Sequence, residues 1–421
     1  MNLVLFTAHY PYGNGEPFLE DELRAAERVF ARITIITYAK PGEPLTRYVP
    51  ANAEVIALRR ERSAAQERRS LIAAAFRPRV WREIASGIRE RGARSAAAVL
   101  KKTLLCERHV RSIERALSDR PGLRERETVW YSYWLNAAGQ YLSAHRGELS
   151  GVCIARAHGG DCFFDRGYVP GRAQMLRCLD GVFPISESGR ADLLAHYGAA
   201  APGLADKIQT MRLGVPLPEP GPTSADTDRA FTIVTCSNVI PLKWLDLLID
   251  ALALISDLAI RWVHFGDGQQ MDEIRALAAK KLDGRDNIRY TFRGRMPKED
   301  IMRFYAAEPV DLFVNCSDVE GIPVSAMEAM SCGIPVAARD VGGLSELVDD
   351  ACGRLLPRTI TAAELADAIR SVLLSADGVP VSARRASARA RIVQDYCAQK
   401  NYEVYFNEIR RMCLEAWSSK A

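Results

Sequence analysis

Short apolar runs at Leu3–Thr7, Ile33–Tyr38 and Val55–Leu58, each bounded by polar or turn-forming residues, predict three β-strands near the start of the chain. Phe18–Ala31, between the first two, carries helical spacing. An Arg/Ala-rich stretch, Ser63–Leu117, predicts several helices interrupted at Pro78 and Gly92. Strand signals return at Val129–Trp134, Gly151–Arg156 and Gly181–Ser186. Met211–Asp228, with Pro216, Pro218, Pro220 and Pro222, reads as a linker.

The second half alternates more regularly. Strands are predicted at Phe231–Cys236, Arg261–Gly266, Ile288–Gly294, Asp311–Cys316 and Pro335–Ala338. Helices are predicted at Leu245–Leu254, Asp272–Lys281, Lys298–Ala307 and Pro323–Cys332. Such alternation predicts an α/β fold with doubly wound parallel sheets, whose ligands sit at the carboxyl ends of the strands. A length of 421 residues suits two domains of roughly 200 residues each. We place an N-terminal domain at 1–215 and a C-terminal domain at 228–395, two Rossmann-like units expected to face a cleft. A terminal helix, Asn401–Trp417, is expected to pack back on the first.

Composition narrows the class. With 48% hydrophobic and 26% charged residues the chain reads as a globular protein, and no apolar run reaches the ~18 to 20 residues of a membrane span. The opening Met1–Phe6 lacks a basic flank and reads as a strand, not a signal peptide. Ten cysteines without a C-x-x-C pair indicate neither a zinc ribbon nor a dithiol site, and fit a cytoplasmic location. Net charge is +4, but Arg59–Arg126 holds 19 basic and 8 acidic residues, an excess of +11 that leaves the remainder near −7.

The densest chemistry lies at Val314–Met330. A strand ends near Cys316, a polar loop follows, and Pro323 is placed at the first helical position. The N–H groups of Val324 and Ser325 would then offer a phosphate site, with Gly321 leaving the backbone approachable and Ile322 also counted among the donor-binding residues. Glu320 and Glu328 bracket it, and carboxylates accept from vicinal hydroxyls. From the residues alone, a solvated Glu320 and a Glu328 that satisfies backbone are equally open readings.

The spacing Glu320-x7-Glu328 resembles the E-x7-E signature of retaining glycosyltransferases of family 4, which have the GT-B fold of two Rossmann-like domains. The likeness extends through Ser331–Ala338 and Val341–Val348. Upstream, Cys236–Lys243 resembles the family's phosphate-binding strand end and His264–Gly268 its glycine turn, with Gly266 in it. The resemblance implies that Glu328 holds the donor ribose, Glu320 lies beside the donor sugar, and Lys243 neutralises the diphosphate. It also sets the strand end Phe292–Met296 by the base. Asn238 stands where the family usually has arginine, so either Lys243 and the helix N-terminus suffice or Arg293 or Arg295, flanking Gly294, compensates for the missing charge.

Looser matches link the first half to the subset that builds bacterial surface polysaccharides: Tyr10–Glu16, Tyr131–Trp134, Arg156–Asp161, Pro184–Glu187 and Leu213–Pro216. Gly13 and Gly15 do not complete G-x-G-x-x-G, because Phe18 holds the third position, which disfavours a dinucleotide-dependent dehydrogenase. Their loop is expected to let acceptor and leaving phosphate approach the backbone. A lone histidine is more often structural than catalytic, but His158 matches the family's histidine near the donor sugar and is expected to hydrogen-bond it. Asp161 would orient His158 or contact the acceptor.

The resemblance implies transfer from a nucleotide diphosphate-sugar, UDP or GDP, to a saccharide or lipid-linked acceptor, with retained configuration. The alternatives are a sugar-nucleotide epimerase of the same fold and a non-catalytic nucleotide-sugar-binding protein. Asp226-Thr227-Asp228 lies in the proline-rich segment away from any strand end, so neither metal nor cofactor is expected. In Arg59–Arg126 sparse aromatics, Phe76 and Trp81, disfavour nucleic acid. A solvated helical face stays open there. The amphipathic run Leu71–Phe76 beside Arg77, Arg79 and Arg82 favours peripheral contact with an anionic membrane surface, on its inner face.

Overall fold

The computed structural model describes residues 1–13, 15–39, 43–59, 64–118, 120–124, 127–224 and 229–418. Two compact units divide the chain, Met1–Arg212 with Tyr402–Ala421, and Leu213–Asn401. Each is built on a six-stranded sheet in which every strand pair is parallel. Both are Rossmann-like α/β units.

In the first unit the strands are β1 (Asn2–Phe6), β2 (Arg32–Ala39), β3 (Ala53–Arg59), β4 (Thr128–Ser132), β5 (Val152–Ala157) and β6 (Gly181–Pro184), in the order β3-β2-β1-β4-β5-β6. Leu3 aligns with Ile33 on one side and Val129 on the other. In the second unit β7 (Phe231–Cys236), β8 (Ile260–Phe265), β9 (Ile288–Phe292), β10 (Leu312–Asn315), β11 (Val336–Arg339) and β12 (Gly353–Leu356) follow the order β12-β11-β10-β7-β8-β9. In each sheet the order reverses once, between β1 and β4 and between β7 and β10. The loops after those four strands flank the crevices where such sheets bind ligands.

Apolar side chains on the sheet faces and the facing helices make the cores. The central strands β1, β4 and β5 are buried on both faces, as strands covered by helices on both sides must be. The edge strand β9 instead alternates, with Ile288, Tyr290 and Phe292 turned inward. The interruptions read at Pro78 and Gly92 are real: α3 (Pro78–Arg91) starts on the proline and ends at Gly92, whose φ is +81°. It lies between α2 (Ala64–Ala75) and the long α4 (Ala96–Ser118); α1 (Leu19–Ala26) follows β1 and is shorter than its apolar spacing predicts.

Met211–Asp228 is not a free linker over its described part. Val215 pairs with Cys397, the Gly221 N–H donates to the Cys332 carbonyl at 2.9 Å, and Arg385 donates to the Gly221 carbonyl. Prolines keep the segment extended while its remaining polar groups bind it to the second unit. Asp226-Thr227-Asp228 lies outside the described residues. β12 was not anticipated, because Gly353-Arg354-Leu355-Leu356 is too short and mixed to announce a strand. The terminal helix, Ala398–Ser418, counts with the first unit from Tyr402 on: Tyr405 lies under the Arg156 guanidinium and Phe406 against Phe30.

Candidate functional site

In the second unit the reversal of strand order brings the loop after β7 beside the loop after β10. The Asp318 N–H donates to the Leu242 carbonyl at 2.9 Å, which fastens one loop to the other. Across them the Lys243 ammonium forms a direct ion pair with Glu320, which also accepts from Asn315 Nδ2 at 3.4 Å. Both charged side chains are largely withdrawn from water, 19% and 11% exposed. Glu320 is therefore not the solvated carboxylate that the residues alone left open.

Two further groups hold this corner. Arg339, at the end of β11, donates to the Cys316 carbonyl at 3.0 Å and to Asp318, and its guanidinium sits 4.7 Å from the centre of the Trp244 ring. The loop after β11 passes directly against Glu320: a Cβ on Gly342, whose φ is +64°, would lie 2.0 Å from the Glu320 carbonyl oxygen. The Gly343 N–H donates to the Gly321 carbonyl at 2.7 Å.

The helix that follows β10 spans Val324–Ser331. Pro323 stands one place earlier than expected, at its N-cap with ψ of 117°, and its carbonyl accepts from the N–H of Ala326 and Met327. Val324 and Ser325 are thus the first two helical residues, whose N–H groups have no intrahelical acceptor, and Ile322 is buried beneath them. Glu328, in the second turn, pairs with Lys298 at 3.6 Å. Sequence reasoning read Lys298 only as a helix start; its place just after the strand end at β9 was the available signal. The Cys236 thiol, at the end of β7, is pushed up to about 12 by burial, raised further by Glu328 and lowered by Lys243, so both charges are felt at this one strand end.

Other expected donor residues are less engaged. Asn238 is exposed on the loop after β7. Arg293 and Arg295 are exposed and form no ion pair among the described residues; the Arg293 N–H donates to the His264 carbonyl. Gly266 and Gly294 do meet, through an N–H to carbonyl bond of 2.8 Å. No group of histidine, cysteine and carboxylate side chains suited to a metal occurs among the described residues.

In the first unit the corresponding loops follow β1 and β4. Gly13 does adopt a left-handed φ of +61°, but Glu16 turns its carboxylate back to accept from the N–H groups of Ala8, His9 and Tyr10 at 2.8–2.9 Å. Trp134 Nε1 donates to the same carboxylate.

His158 follows β5 among the rings of Phe18, Tyr133 and Trp134, with centroids 4.4–5.6 Å away, and is 5% exposed. Its Nε2 lies 3.1 Å from the Tyr133 carbonyl and so carries the proton. Burial, with Arg156 nearby, lowers its pKa to about 3, which leaves it neutral and unsuited to acid–base work near neutral pH. Asp161 accepts from the N–H groups of Leu135, at 2.6 Å, and of His158, and as the third residue of the short helix that His158 caps it returns its own N–H to the His158 side chain. Arg156 is structural: wholly buried, it pairs with Glu22 at 3.1 Å and donates to the Met211 carbonyl.

Asp161 also lines a cavity of about 360 Å³ within this unit. Its wall is mostly apolar, with Phe6, Ile36, Leu58, Leu105 and Leu135, and its polar groups include His9, Asn136 and His109. Nothing in the sequence signals this cavity, because α4 supplies one wall and the ends of β1 and β2 supply another.

The chain is similar to known glycosyltransferases in sequence and in fold. The chain is 28% identical over 290 residues to the D-inositol 3-phosphate glycosyltransferase of Geodermatophilus obscurus, a match covering 62% of each chain. The chain therefore spans less than two thirds of that relative's length. Its fold is that of the lipopolysaccharide outer core galactosyltransferase WaaB (TM-score 0.66, 13% identity, all of both chains). Anabaena Alr3699/HepE, solved with UDP-glucose, shares it too (TM-score 0.64, 15% identity, 98% of this chain and all of that one). Residues 224–392 match the family described as glycosyl transferases group 1, a span that takes in the whole second sheet and every candidate donor residue.

Proposed function

We propose that this protein transfers a sugar from a nucleoside diphosphate sugar to a hydroxyl of a saccharide or lipid-linked acceptor, with retention of configuration. The observation that carries the reading is the Lys243–Glu320 pair at the strand-order reversal of the second sheet, with Glu328 felt at the same strand end. In this reading Lys243 and the N–H groups of Val324 and Ser325 bind the diphosphate, and their charge complements the leaving group as it departs. Glu328 accepts from the ribose hydroxyls and Glu320 from the donor sugar. The departing phosphate oxygen takes the acceptor's proton, so the protein supplies position and charge and needs no separate base. The cavity lined by Asp161 holds the acceptor. UDP-glucose in the Anabaena neighbour supports a UDP-hexose as the first donor to try. A role in surface glycan synthesis is supported by the E. coli O-antigen glycosyltransferase WbnH, 24% identical over 50% of this chain and 58% of its own.

The experiment is incubation with UDP- and GDP-sugars and candidate acceptors in EDTA, followed by NMR of the product's anomeric configuration. A retained glycoside formed without metal is the expected result. Loss of turnover restored by magnesium would overturn the metal-free reading, and an epimerised nucleotide sugar with no glycoside would overturn transfer itself.

A further inference from the structure

The excess positive charge of the first unit has a structural arrangement that composition cannot show. Helices α3 and α4 carry four carboxylates, and each is turned toward a partner within the unit. Glu107 and Glu114 take Arg79 and Arg77, at 2.8 and 3.0 Å. Glu83 accepts from the Gly171 N–H at 2.6 Å, and Glu90 from the Tyr197 hydroxyl at 2.8 Å while pairing with Arg91. Two of the arginines expected to face a membrane, Arg77 and Arg79, are thereby committed to structure.

What remains outward is almost purely cationic and apolar. Arg69, Arg82, Arg89, Arg94 and Lys101 are exposed, with no carboxylate partner among the described residues. Arg82 and Arg89 share one face of α3, opposite the buried Val80, Ile84 and Gly87. At the corner where α2 meets α3, Phe76 is 83% exposed, Trp81 56% and Ile72 59%. Ile72 lies in the last turn of α2 and Phe76 directly follows its end. The corner is held in shape, because Trp81 Nε1 donates to the Ala75 carbonyl at 2.7 Å and leaves the ring partly outside.

We propose that this corner docks on an anionic lipid bilayer, with Phe76, Trp81 and Ile72 entering the interfacial layer and the unpaired cations over the phosphate headgroups. Three large apolar side chains in a field of unneutralised cations match a surface that is apolar beneath an anionic layer. A nucleic acid would satisfy the charge but leave the Ile72 and Phe76 side chains in water. The proposal concerns the first unit alone and stands independently of the sugar-transfer reading.

The test is flotation of the full chain with vesicles of equimolar phosphatidylglycerol and phosphatidylcholine, against phosphatidylcholine alone. Binding should require the anionic lipid and be released in 1 M salt, where screening acts within ~3 Å. F76S with W81S should weaken partitioning about tenfold or more, and R82S with R89S by up to about thirtyfold, at ~1 kcal/mol per cation. F76S alone and R82S with R89S should keep the wild-type melting temperature, and a vesicle-induced blue shift of fluorescence should vanish in W81F. Equal binding to neutral vesicles, binding to neither kind, or variants that float as the wild type does would each overturn the proposal. Capture by heparin without any vesicle binding would do so as well, in favour of a non-lipid polyanion.

Discussion

Removing the Lys243 ammonium tests the donor reading most sharply, because its neighbour makes the outcome asymmetric. Lys243 and Glu320 are mostly shielded from water, so an effective dielectric near 20 is appropriate and two unit charges ~4 Å apart interact by about 4 kcal/mol. A diphosphate that binds Lys243 also meets the Glu320 carboxylate, and at ~6 Å that repulsion is about 3 kcal/mol. Lys243→Ala deletes the attraction and keeps the repulsion. After ionic screening the loss should be about 2–3 kcal/mol, or roughly 30- to 150-fold in the affinity for UDP or GDP. Glu320→Gln by itself should tighten nucleoside diphosphate binding while impairing transfer, since it removes the repulsion and releases the lysine. Adding Glu320→Gln to Lys243→Ala should recover roughly tenfold of the lost affinity. Calorimetric titration of the four proteins with UDP, GDP and the bare nucleosides measures the whole cycle. If Glu320→Gln weakens UDP, or if Lys243→Ala weakens uridine as much as UDP, the diphosphate does not lie at this pair and the reasoning fails.

The carboxylate of Glu328 should be worth about 1.5–3 kcal/mol to a nucleotide through its ribose hydroxyls. Glu328→Gln should therefore weaken UDP by that amount but barely affect an analogue whose ribose lacks both hydroxyls; equal losses for the two would remove Glu328 from the ribose. Asp161 makes a different kind of prediction. Burial raises its carboxyl from 3.8 to about 7, so the folded state holds this proton more tightly than the unfolded chain. The associated stability is full below about pH 4 and is lost as pH rises toward 7. Asp161→Asn, which keeps an acceptor for the Leu135 N–H, should thus gain stability relative to the wild type across that interval, by up to a few kcal/mol. Parallel melting curves from pH 4 to pH 8 check this, and a constant difference between the two proteins would refute it.

Much of the architecture is legible in the chain because burial leaves a local trace. Strands covered by helices on both sides must be apolar throughout, so β1, β4, β5 and β7 stand out as runs, and Pro78 and Gly92 mark helix ends through backbone geometry alone. Glu320, Glu328 and Lys243 could be singled out by their spacing and their likeness to a known pattern. Their partners could not. Lys298 reaches Glu328, and Arg339 grips the loop before Glu320, because β11 comes to lie beside β10, and β9 beyond β7 and β8, only once the sheet has formed. The same holds for Glu16, whose carboxylate gathers the N–H groups of Ala8, His9 and Tyr10, and for Arg77 and Arg79, drawn inward to Glu114 and Glu107. Hydrophobic periodicity records which face of an element is buried, a property of neighbouring residues. Which charge meets which depends on the packing of elements distant in sequence, and there the tertiary structure alone decides.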